Sequence, residues 1–73
     1  MTARGFILFE TPIGTCGLAW GPNGIMGLQL PEESAAKTRG RLQRRWPEAI
    51  EQAPPADVQR AIDQVLTLLT DGT

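Results

Sequence analysis

Two turn signals, Thr11-Pro12-Ile13-Gly14 and Gly21-Pro22-Asn23-Gly24, restrict this chain more than any other feature, because they leave only short segments between them. Proline presets one central turn position and cannot donate to a sheet ladder, while glycine accepts a positive φ. Segments of about six residues between tight turns have strand length and are too short for helices. The spacing therefore predicts a three-stranded antiparallel meander. The first strand is expected over Gly5–Thr11, where Phe6, Ile7, Leu8 and Phe9 form a β-favouring apolar run. The second is expected over residues 15–20, with Cys16, Leu18 and Trp20 on one face. Gly17 and Ala19 take the other face, small enough for something bulky to pack closely. Asn23-Gly24 is a strong hairpin signal of the type I′ kind, which needs positive φ at both central residues. The third strand is expected over residues 25–30, with Met26, Leu28 and Leu30 on one face and Ile25, Gly27 and Gln29 on the other. Pro31 ends it.

The hydrophobic period then changes from two to about 3.6. Ser34 is the expected N-cap, its hydroxyl accepting from an orphan backbone N–H. Glu32 and Glu33 sit near the positive end of the helix dipole. Ala35, Thr38, Leu42 and Trp46 form one seam, with Arg39 and Arg45 flanking it. Pro47 disfavours helix at Trp46, so the helix should end near Arg45. Residues 48–55 read as a connector stiffened by Pro54 and Pro55. A second helix is expected from about residue 56 to 70, with Val58, Ala61, Ile62, Val65 and Leu69 on its seam and Leu66 and Leu68 widening it. Arg60, Asp63 and Thr67 face out, and Asp71-Gly72 is a stop signal. The fold class is α+β: a three-stranded meander followed by two helices packed on one sheet face.

Bulk properties bound the function. The chain has 73 residues, enough for one small domain, residues 1–73. It is 41% hydrophobic and 21% charged, an ordinary globular mix. So short a chain buries only about 60% of its unfolded surface and is expected to lean on a partner. A single cysteine excludes an internal disulfide. With no histidine either, a protein-only zinc site lacks its ligands. Neither a metal nor any other cofactor is expected, nor a small-molecule ligand. The net charge of −1 argues against a strongly basic polyanion binder. No apolar run is long enough to span a membrane, and the N-terminal apolar stretch is too short for a signal peptide. A lone cysteine fits a reducing cytoplasm, so the expected location is cytoplasmic.

Three groups of residues carry candidate chemistry. Cys16 has no histidine to act as its base and no helix N-terminus to depress its pKa, so it reads as a small buried hydrophobe. The cations Lys37, Arg39, Arg41, Arg44 and Arg45 share one helix. As a group they are the best case for DNA contact, with Lys37, Arg41 and Arg44 the candidates for phosphate contact. The simpler reading is a solvated face paired with Glu32, Glu33, Glu48 or Glu51. Trp20 and Trp46 lie on apolar faces and read as core rather than as base-stacking platforms.

The order Phe-x-Thr-Pro-Ile-Gly, Gly-Leu-Ala-Trp, Gly-Ile-Met-Gly-Leu-Gln-Leu-Pro, Leu-Gln-Arg-Arg-Trp-Pro and Val-Gln-Arg-Ala-Ile runs from Phe6 to about Leu69. It resembles the N-terminal domain of methylated-DNA–protein-cysteine methyltransferases, the alkylguanine-DNA alkyltransferases. Order and spacing together make the resemblance fairly specific. The resemblance implies a ribonuclease-H-like domain, with a three-stranded antiparallel sheet and helices. It also implies a separate C-terminal domain with a helix-turn-helix and a Pro-Cys-His-Arg motif, whose cysteine takes the alkyl group from O6 of a flipped guanine. That motif is absent from these 73 residues, so no catalytic residue carries over. A ribonuclease-H-like fold also raises two-metal nuclease chemistry. Glu10 is the only acidic residue in the expected strands, too few for it.

The function that follows is a non-catalytic scaffold domain of a DNA-repair methyltransferase. Its expected partners are the catalytic domain and, through it, DNA. Leu66, Leu68 and Leu69, or the Gly17/Ala19 face, are the expected inter-domain contact. The competing readings are a stand-alone interaction or regulatory module, such as a homodimer, and a weak nucleic-acid binder using the arginine-rich helix.

Overall fold

The computed structural model describes residues 3–71. Within them the chain runs β1 (Gly5–Thr11), β2 (Gly14–Gly21), β3 (Gly24–Gln29), α1 (Ala35–Arg45), β4 (Ile50–Glu51) and α2 (Ala56–Asp71). The expected α+β class and three-stranded meander are present, and the strands differ from expectation by about one residue at their ends. The stop signal at Asp71-Gly72 lies partly outside the described residues.

The sheet order is β3-β2-β1-β4. β1 and β2 pair antiparallel from Gly5 opposite Trp20 to Thr11 opposite Gly14. Both hairpins use two-residue loops, Pro12-Ile13 and Pro22-Asn23, closed by Gly14 (φ 124°) and Gly24 (φ 115°). The type I′ expectation at Asn23-Gly24 is therefore corrected. No non-glycine residue among those described has a positive φ, so Asn23 does not adopt the geometry that turn requires. Pro22 takes the first central position, where its fixed negative φ fits, and pushes Gly24 to the place after the turn. The Thr11 hydroxyl reinforces the first turn, accepting from Ile13 N–H (3.1 Å) and donating to Gly14 O (2.8 Å).

A register shift between Ala19 and Trp20 sets Ile25, not Met26, opposite Trp20. Ile25 thus joins the Trp20 face, against the simple alternation expected from the sequence.

The two helices do not pack on one sheet face, as expected, but on opposite faces. Leu42 of α1 packs with Phe6 and Ala19, with Leu8, Trp46 and Ala49 around them. Val58 and Ile62 of α2 pack with Leu18 and Trp20, with Ile7, Phe9 and Leu66 around them. The reason lies in β1. A continuous apolar run, rather than an alternating one, marks a strand covered on both sides. β4 makes the crossing. It lies beside β1, in parallel, at the sheet edge, with Ile50 N–H donating to Arg4 O (3.2 Å) and Gln52 N–H to Phe6 O (3.1 Å). The chain reaches this edge from α1 on one face and leaves it to form α2 on the other.

Absent side chains set how closely α1 approaches. A Cβ on Gly17 would run into Leu42, and one on Gly27 would come 2.5 Å from the Trp46 ring. The close packing expected of the Gly17/Ala19 face is therefore made by α1 itself.

Candidate functional site

The surface of interest is where the end of α1 meets β3. The Ser34 hydroxyl accepts from Lys37 N–H (3.2 Å), the N-cap expected from the sequence. That start, with the buried Thr38 and Leu42 facing the sheet, sets the helix phase. It turns Lys37, Arg41 and Arg44 to solvent.

The structure separates the five cations of α1. Lys37 Nζ pairs with Glu33 Oε2 at 3.0 Å, one turn back. Arg39 forms a two-pronged pair with Glu51 of β4, Nε to Oε1 at 2.9 Å and Nη2 to Oε2 at 3.2 Å. That bonding, with the attraction of the carboxylate, raises the Arg39 pKa further. Arg45 lies over the Trp46 ring, its Cζ 4.2 Å from the ring centroid. Its Nη1 donates to Gln29 Oε1 (3.2 Å) and to Leu28 O (3.4 Å). Among the described residues, the Arg41 and Arg44 side chains have no hydrogen-bond or ion-pair partner. Arg41, Arg44, Arg45 and Gln29 together line one open concavity. Of the sequence candidates for phosphate contact, Arg41 and Arg44 are brought together here, and Lys37 is not. Sequence reasoning grouped Arg45 with the other cations of the helix but missed Gln29 in this role. Gln29 shares a sheet face with Gly27, which was the available signal.

Cys16 is buried, 1% exposed, with the Thr11 hydroxyl 3.8 Å from its sulfur. It packs as a small hydrophobe. The Thr15 hydroxyl, opposite Glu10 across the strands, donates its one proton to the Glu10 carboxylate, lying 2.8 and 2.9 Å from its two oxygens. No three His, Cys, Asp or Glu side chains among the described residues converge to hold a metal. Trp20 is buried in the α2-side core and Trp46 is half-buried in the α1-side core.

The apolar candidates divide as well. Leu66 packs against the α2-side core, and Leu69 is half-buried. Leu68 is 71% exposed beside Asp63, Gln64 and Thr67, in a shallow depression along α2. The Gly17/Ala19 face is covered by α1 and is not a free contact surface, a correction of that expectation. Ile25, Leu28 and Leu30 are exposed large apolar residues in or next to β3. Leu28 stands opposite Leu18 and Ile25 opposite Trp20, which places both on the α2 face. No helix among the described residues is long and apolar enough to cross a membrane. Comparison of the chain with protein-family models, curated proteins and solved structures finds no match.

Proposed function

We propose that this chain is a non-catalytic scaffold domain of a methylated-DNA–protein-cysteine methyltransferase, docking on a catalytic domain that carries the acceptor cysteine. The ribonuclease-H-like fold belongs to this proposal. One observation carries the docking role: Ile25, Leu28, Leu30 and Leu68 stay exposed on a domain too small to cover them. The ordered motifs from Phe6 to Leu69 support the family. The burial of Cys16 supports a structural rather than an acceptor role for that thiol.

The test is titration of the chain with a separately prepared alkyltransferase catalytic domain bearing Pro-Cys-His-Arg, followed by calorimetry. A saturable complex that raises the unfolding temperature of this chain is expected. Two folded components that do not associate would sink the reading.

A further inference from the structure

We infer that the concavity formed by Arg41, Arg44, Arg45 and Gln29 is a binding surface for the phosphodiester backbone of a nucleic acid. α1 contains five cations and no acidic residue between Ala35 and Arg45. The fold neutralises two of them, Lys37 through Glu33 and Arg39 through Glu51. It leaves three arginines on one surface. Arg41 stands three and four residues before Arg44 and Arg45, spacings at which like charges repel and weaken a helix. The helix dipole compensates cations in the last turn, where Arg44 and Arg45 sit, but not Arg41 one turn earlier. An anion in the concavity relieves that repulsion.

The surface is also built. Gly27 has no side chain, which lets the Trp46 ring and the Arg45 guanidinium lie against the sheet. The ring and Gln29 Oε1 hold Arg45 in place, while Arg41 and Arg44 have no partner among the described residues. Guanidinium groups present planar forks of donors that match phosphate oxygens.

The surroundings favour a nucleic-acid backbone over a lipid surface or a phosphopeptide. Ile25 and Leu28 face the α2 side, whereas Gln29 faces the α1 side with the arginines, so neither of these exposed apolar residues is set to enter a membrane beside them. All four lining residues are polar, which suits a repeated phosphate rather than peptide side chains. This inference goes beyond the methyltransferase proposal and does not depend on it.

The experiment is fluorescence anisotropy with a labelled duplex DNA, repeated across salt concentrations. Three neutralised phosphates give a log–log salt slope of about −2.7, a loss of roughly 40-fold between about 50 and 200 mM salt. The Arg41→Ala/Arg44→Ala double variant is expected to reduce the slope to about −0.9, roughly a fourfold loss over that range. Arg41→Lys/Arg44→Lys is expected to keep most of the wild-type slope. Lys37→Ala, which removes a cation already paired with Glu33, is expected to leave it unchanged. Single-stranded RNA, on which three phosphates give a shallower slope of about −2.1, also supports the inference, since the shared ligand is the backbone. Absence of binding at about 50 mM salt, or a slope unmoved by the double alanine variant, overturns it. So does binding confined to a phosphopeptide or to anionic vesicles.

Discussion

Thr38 is polar and fully buried, which is tolerable only because both its hydrogen-bonding roles are filled. Its hydroxyl donates to Thr15 O (3.1 Å) and accepts from Glu32 N–H (3.0 Å), tying α1 to β2 and to the segment before the helix. Thr38→Val keeps the shape and strands both partners. A loss of about 1–3 kcal/mol is expected in urea unfolding, with an unchanged m-value. Glycines give a contrast of sign. Gly17→Ala drives a Cβ into Leu42 and should destabilise by about 1–3 kcal/mol, whereas Gly40→Ala meets nothing within 4 Å on its helix and should stabilise by roughly 0.8 kcal/mol. Thermal unfolding of the two variants checks both signs. At this scale the Ser34 cap was legible in the sequence because its partner is three residues away. Thr38 was legible as a seam position, but its bonds were not. Its acceptor lies 23 residues back in the chain, on a strand whose distance from α1 is set by Gly17.

Element by element, the strands and helices follow local signals, and β4 does not. Ile50–Glu51 is two exposed residues without periodicity, paired only because β1 has a free edge beside it. Glu48, just before it, anchors this connector to the start of the described chain. Its carboxylate accepts from Ala3 N–H (3.0 Å). Its pKa lies below the ordinary 4.5, first through its own backbone N–H and then through that of Ala3. These bonds favour the charged form, so the folded chain binds the proton less readily than the unfolded chain. The resulting stability is present above the ordinary value of 4.5 and is lost as pH falls through the lower folded value. Glu48→Gln should therefore be less stable than the wild type near neutral pH, with the gap closing in acid. Urea midpoints measured from about pH 7 down to pH 3 check this; a constant gap would refute the attribution. The placement of the helices on opposite faces follows from the same connector, since β4 at the sheet edge is where the chain changes sides.

At the scale of the whole molecule, two thin cores share one sheet, one of Phe6, Ala19 and Leu42 and one of Leu18, Trp20, Val58 and Ile62. Such a domain is marginal alone, and under the proposed function its exposed apolar residues are the surface a partner would cover. Leu68 separates stability from docking. Leu68→Lys should change unfolding stability by no more than about 0.5 kcal/mol, because the side chain is 71% exposed. The same change should weaken association with the catalytic domain by more than about 1 kcal/mol if Leu68 is an anchor of the contact. Unchanged affinity would remove Leu68 from the interface. The sequence by itself determined the meander, the extents of both helices and the burial of Cys16. Turns, caps and hydrophobic periods act over a few residues, and a small thiol on an apolar strand face reads as core from the same pattern. Only the tertiary structure decided that the helices take opposite faces, that β4 lies at the sheet edge, and that Gln29 joins Arg41, Arg44 and Arg45. Each of these depends on which distant backbone comes near, and that is set by packing volume, by Gly17 and Gly27, and by ion pairs that draw Lys37 and Arg39 away.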